Sequence, residues 1–316
     1  MYLLNEALRI KQQQVSRQSY VIADGKIAYI KERMPYWKKW RVDLRNLVLA
    51  PAKIGMDEQF LEVETTEERN NLERSWIKQG VTTLAVLQQI KSERSLPTAY
   101  KNACLKMEQC SLDYVIGITI PFRLLNPSLL HQCRRLQIPF IQVEMNADVL
   151  LDDVPWTRLA DALLTYPSML IPKIKDLTNQ KSSVELTWIR HCELVGISSV
   201  TPTLIWTKEH AQKSGLYPEK GELLVGSDAD YLLYHQRMNH YMTRQARMVA
   251  TSGNLDYDKD EPAVVFQRGQ LLKANDTYFL NKQGNQIHVK KPKRLFSMEF
   301  APKQQLPLFD SISGSY

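Results

Sequence analysis

The feature that most constrains this chain is a change of rhythm. Between residues 47 and 215, short apolar runs alternate with helical patterns, whereas the segments before and after read only as strands and turns. Strand candidates fall at 47–50, 81–87, 113–121, 139–145 and 169–172. Helical patterns fall at 67–79, 97–110, 127–136, 156–164 and 185–195, with a shorter one at 210–214. Strands alternating with helices predict βα units on a parallel sheet with right-handed crossovers. In 67–79, Leu72, Trp76 and Ile77 share one face and Gly80 follows as a C-cap.

The flanks predict a different architecture. Asp24-Gly25 between two β-prone runs is a strong hairpin signal. After Gly215, strand candidates at 222–225, 231–234, 263–266 and 278–280 are separated by turn residues. The simplest organisation is a small β domain from 1–46 and 216–289, a βα domain at 47–215 inserted into it, and a flexible basic tail at 290–316. Residues 34–46 (MPYWKKWRVDLRN) mix aromatic and basic groups. They read as a connector whose long side chains lie over a domain junction, with nucleic-acid contact as the other use of such a patch.

Composition narrows the function classes. An apolar content of 44% rules out disorder over the whole length. No apolar run approaches the ~20 residues of a membrane span, and the first residues do not resemble a secretory leader, so no membrane partner and a cytoplasmic location are expected. The four cysteines (Cys104, Cys110, Cys133 and Cys192) fit no zinc spacing and no disulfide framework, which suits reduced thiols. Net charge is +7, and the tail's five basic and two acidic residues supply much of it. The body is only mildly basic, so direct sequence-specific nucleic-acid binding is not expected. Phosphate-loop, dinucleotide and nucleophile-elbow motifs do not occur.

The stretch 214–234 (SGLYPEKGELLVGSDADYLLY) resembles the segment by which dihydroorotases and hydantoinases of the amidohydrolase superfamily pass from barrel to β domain. Residues 23–30, 49–60, 78–86 and 264–272 echo the same family in the same order. The resemblance implies a (β/α)8 barrel carrying one or two zinc ions, with a metal-activated water and an Asp that shuttles its proton.

The family's first barrel strand ends in His-x-His; here those positions are Asp57 and Gln59. Its carboxylated lysine is matched by Gln142, and 169–185 contains none of the later histidines. The block 47–215 is also shorter than the ~200 residues a complete barrel needs and has room for about five βα units. The expectation is a truncated TIM-like barrel, inserted in a β domain made by both termini, without the zinc hydrolase site. Zinc is the family's cofactor, but its ligands are missing here, so no cofactor is expected.

Such a chain would act as a scaffold or interaction partner. An open parallel sheet would leave edges and a face exposed, so a homodimer is expected. The alternative is a hydrolase of cyclic amide C–N bonds with a rebuilt carboxylate site, using Asp57 and Glu144 at strand ends with Glu62 near them. Asp228 and Asp230 read as turn acceptors. None of the six histidines pairs at ligand spacing.

The tail carries a separate signal. Gln305, Leu306, Leu308 and Phe309 resemble the short peptide by which bacterial replication and repair proteins dock on the DNA polymerase sliding clamp. Pro307 biases Leu306 toward an extended backbone, which lowers the ordering cost of binding.

Overall fold

Asp24 and Gly25 have positive φ (50° and 76°) and join β2 (Gln14–Ala23) to β3 (Lys26–Lys31) as an antiparallel hairpin. This is the turn chemistry the sequence predicts. The computed structural model describes residues 1–11, 14–45, 47–146, 148–175, 181–235, 260–289 and 291.

The hairpin lies in a sheet built from both parts of the chain. β1 (Tyr2–Lys11) pairs antiparallel with β2 and parallel with β4 (Arg41–Asp43) and β5 (Leu47–Pro51). β5 pairs with β11 (Tyr231–His235), and β12 (Val264–Gln267), β13 (Gln270–Ala274) and β14 (Thr277–Tyr278) follow outward. Leu4, Tyr20, Ile22, Leu49, Leu223 and Tyr231 form its core. The expected strand at 222–225 does not form. The 47–50 run joins this sheet, and the chain changes sheets at Ala52, whose N–H donates to the Asp230 carbonyl.

The second sheet is the βα block. β6 (Lys53–Asp57), β7 (Val81–Gln89), β8 (Asp113–Pro121), β9 (Phe140–Met145) and β10 (Met169–Ile174) are all parallel and lie in sequence order. Helices α1 (Thr66–Lys78), α2 (Leu96–Met107), α3 (Pro127–Arg135) and α4 (Trp156–Leu163) form the crossovers, and α5 (Lys181–Leu194) follows β10. The caps explain the boundaries. Thr65 accepts from the Glu68 N–H at the start of α1, and Asn126 accepts from the Leu129 N–H at the start of α3, where Pro127 fits the first turn. These five units are the truncated, TIM-like half-barrel expected from length.

Both faces of the curled sheet are apolar, as buried parallel strands require. On the outer face, Leu129, Cys133, Leu159 and Trp188 from the helices cover Ile118, Ile141 and Leu170. On the inner face, Met56, Ala85, Val115, Phe140 and Ile171 meet Trp206 and Leu216. Phe140 packs edge-on against Trp206 at 5.1 Å. It also lies over Gly117, where an added Cβ would come within 2.3 Å of its ring.

The edges are where the structure departs from expectation. Residues 198–206 run as a strap between them. Near its start, Leu170 of β10 donates to the Ser198 carbonyl and Val200 donates back to Leu170. At its end, Met56 donates to Leu204 and Trp206 donates to Ile54 of β6. Segment 284–287 covers the lower edge of β8 in the same way, through Tyr114. The strap thus pairs with part of each edge of the shortened sheet within one chain. α6 (Lys208–Ser214) follows the strap and leads through Gly215 into the β domain.

Candidate functional site

Alternation along the strands decides what reaches the mouth of the half-barrel. Thr119 on β8 is opposite Gln142 on β9, and Glu144, two residues on, is opposite Lys173 on β10. Thr119, Glu144 and Lys173 lie toward the carboxyl ends of their strands, the end at which this kind of sheet presents its chemistry, and Gln142 lies at mid-strand below Glu144. Glu58 follows directly after β6. These residues form a chain of polar contacts. The Thr119 hydroxyl donates to Gln142 Oε1 (3.0 Å), and Gln142 Nε2 donates to Glu58 Oε1 (2.7 Å). Lys173 Nζ bonds Glu58 Oε2 (2.5 Å) and lies 3.3 Å from Glu144, which Lys175 reaches from the other side at 2.9 Å. Gln142 is fully buried; Glu58 and Lys173 are about one-third exposed. Around them opens a cleft of about 560 Å³, also lined by Gln59, Glu62 and Glu64.

The charges at the mouth stabilise one another. Partial burial alone would raise the Glu144 carboxyl, but the bonds from Lys175 and Lys173 outweigh it and hold Glu144 below its ordinary value. Burial would lower the Lys173 ammonium; Glu58 and Glu144 reverse that and raise it.

Asp57 is used elsewhere. One carboxylate oxygen accepts the N–H groups of Gln59 and Phe60, each at 2.8 Å, and the other accepts the Trp76 indole at 2.6 Å. It caps the short 3-10 turn Phe60–Glu62 and anchors α1. The sheet places β7 and β8 between Asp57 and Glu144, so the two carboxylates do not lie on neighbouring strands. Gln59 and Glu62 are exposed. Gln305, Leu306, Leu308 and Phe309 lie outside the described residues.

A zinc ion of the kind the resemblance implies does not fit this donor set. The groups that meet at the mouth are the Glu58 and Glu144 carboxylates and the Gln142 amide, with the Lys173 ammonium between the carboxylates and no described imidazole lining the cleft; zinc sites are built from thiolate, imidazole and carboxylate. The buried His210 is on α6, where its ring bonds Thr207, Thr203 and the Thr201 carbonyl. His191 on α5 stacks on Trp156.

The opposite end of the sheet holds the densest charge cluster. Lys220 Nζ is 2.6 Å from Asp113, 2.8 Å from Asp228 and 2.7 Å from Asp230. Among the described residues, these three aspartates are the one group close enough together to hold a metal ion, and the ammonium occupies their centre. Burial would push Lys220 down, but Asp230, Asp113 and Asp228 outweigh it and keep the amine protonated well above the ordinary lysine value. Asp113 also accepts from Arg268 and from the Asn285 N–H, while Asp230 accepts from the Arg268 N–H and the Thr82 hydroxyl. The cluster ties Asp113, the first residue of β8, to the segment 220–230 that leads into β11 and, through Arg268, to the turn between β12 and β13. Asp228 and Asp230 therefore act as more than turn acceptors, a role that Asp113, 107 positions from Lys220, concealed in the sequence.

No family model and no curated protein matches the chain. Solved structures match its fold. The dihydropyrimidinase from Brevibacillus agri NCHU1002 superposes with a TM-score of 0.61 at 10% identity, covering 92% of this chain and 100% of that one. A D-hydantoinase gives 0.60 at 15% identity, covering 92% and 99%. The atrazine chlorohydrolase from Arthrobacter aurescens TC1, solved with zinc, gives 0.52 at 12% identity, covering 89% and 97%. The chain therefore shares the fold of these solved enzymes.

Proposed function

We propose that this protein is a non-catalytic member of that fold, acting as a scaffold or interaction partner rather than as a zinc hydrolase. The observation that carries the reading is the mouth. Gln142 stands where the family's bridging lysine would, Asp57 has its acceptors committed to Trp76 and a turn, and Glu58 and Glu144 are neutralised by Lys173 and Lys175. A hydrolase needs an activated water and an electrophile-polarising centre; here the charges are mutually satisfied. The test is metal analysis of the purified protein with turnover assays on hydantoin, dihydropyrimidine and dihydroorotate. We expect substoichiometric zinc and no hydrolysis. Stoichiometric zinc with ring opening overturns the reading.

The cleft favours one alternative, a carboxylate-based hydrolase of cyclic amides using Glu144 and Glu62, which line it, with Asp57 the third candidate. It requires that E144Q abolish a measurable activity while leaving the melting temperature within a few degrees. A second element of the scaffold reading is the tail. The Gln305–Phe309 pattern behind a basic stretch supports docking on the bacterial sliding clamp. A peptide spanning Lys303–Asp310 is expected to bind the clamp and to lose binding when Leu308 and Phe309 become Ala; a wild-type peptide that does not bind removes the idea. Free thiols at Cys104, Cys110, Cys133 and Cys192 suit a cytoplasmic setting. Among the described residues, no helix is long and apolar enough to cross a membrane.

A further inference from the structure

The aromatic-basic stretch read as a connector does not lie over a domain junction. Tyr36 is 92% exposed and Trp40 83%. The exposure is built in rather than incidental. The Arg41 guanidinium donates to the carbonyls of Met34, Pro35 and Trp37, and the Trp37 indole donates to the Trp40 carbonyl at 3.1 Å. Trp40 is then tied to the sheet, because its carbonyl accepts the Leu3 N–H at 2.9 Å. The loop is a held knuckle that presents two aromatic faces to solvent.

Its charge is concentrated. Residues 31–41 contain Lys31, Arg33, Lys38, Lys39 and Arg41 against one acid, Glu32, in a chain whose net charge is +7. Large aromatics grouped in the open on one held loop mark an interaction surface. Interleaved with cations, they match the chemistry of a polyanion that also carries flat apolar rings.

We propose that this knuckle is a docking surface for single-stranded nucleic acid, with Tyr36 and Trp40 stacking on bases and Lys31, Arg33, Lys38 and Lys39 facing phosphates. Stacking is sequence-tolerant, since every base has a π-face, so the surface confers no sequence specificity. An anionic membrane is the rival occupant. It is disfavoured because Val42 is the one exposed aliphatic residue in this stretch and Lys38 and Lys39 separate Tyr36 and Trp37 from Trp40, so the rings form no continuous apolar face to insert.

The experiment uses the full chain. Fluorescence anisotropy of a labelled oligothymidylate of roughly 20 nucleotides is measured across a salt series, with duplex DNA as competitor and phosphatidylcholine–phosphatidylserine vesicles in a parallel sedimentation assay. We expect oligonucleotide binding that Y36A/W40A weakens about tenfold or more. K38A/K39A should reduce the slope of log affinity against log salt by about 1.4. Duplex should compete poorly, and both variants should melt with the wild-type protein, which separates binding from folding. Absence of oligonucleotide binding, binding indifferent to Y36A/W40A, equal competition by duplex, or vesicle binding in its place each overturns the proposal.

Discussion

The two ends of the five-stranded sheet contain the same ingredients, lysine ammoniums among carboxylates, yet in opposite settings. At the base, Lys220 and Asp113 are each 1% exposed and the cluster is fed by backbone and hydroxyl donors. At the mouth, Lys173 and Glu58 are about one-third exposed and face a cleft. Ion pairs in water contribute little, whereas a buried charge that loses its partner is costly. The base is therefore a structural rivet joining the two sheets, whereas the ion pairs at the mouth contribute little to holding the fold. The segment that most resembles the hydantoinases, 214–234, supplies Lys220, Asp228 and Asp230.

This contrast is open to attack at several depths. The largest effect belongs to K220M, which strands three carboxylates in the interior and should cost about 3–5 kcal/mol in urea unfolding; a loss below 1 kcal/mol would erase the distinction between the two ends. Next is G117A, whose new Cβ is driven into the Phe140 ring. Overpacking of this kind costs about 1–3 kcal/mol, and thermal unfolding measures it. D57A should fall in the same range, about 1–3 kcal/mol, because it orphans the Trp76 indole and two backbone N–H groups. A D57A variant as stable as wild type would free Asp57 for chemistry. K173M is expected to cost at most about 1 kcal/mol.

The smallest effect is a pH dependence at the mouth. The Glu144 carboxyl is lowered in the folded state, so its ion pairs contribute stability that is fully present above the ordinary glutamate value and is lost as pH falls through the lowered one. K175M removes one of the groups that lower it. The acid limb of the stability curve should therefore be shallower in K175M than in wild type, as read from denaturant midpoints between about pH 3 and 6.

Much of the fold was legible because local signals agreed with it. The βα rhythm, the Asp24-Gly25 turn and the Gly80 C-cap each act within a few residues. The strap at 198–206 escaped because Pro202 interrupts it and its pairing partners are far away on β6 and β10, so it shows no period of its own. At the site, the positions of Asp57, Gln59 and Gln142 followed from resemblance, but their contacts did not. Glu58 meets Lys173 across 115 positions and Gln142 across 84, and nothing in the local sequence announces either pair. The exposure of Tyr36 and Trp40 was likewise hidden, since an aromatic at a junction and an aromatic on a knuckle are spelled alike.

The most direct measurement is a crystal structure of the full chain grown with zinc chloride, with anomalous scattering recorded at the zinc edge. The account predicts Lys173 seated between Glu58 and Glu144 with no anomalous peak there. A zinc peak bonded to both carboxylates, with Lys173 swung away, would contradict it.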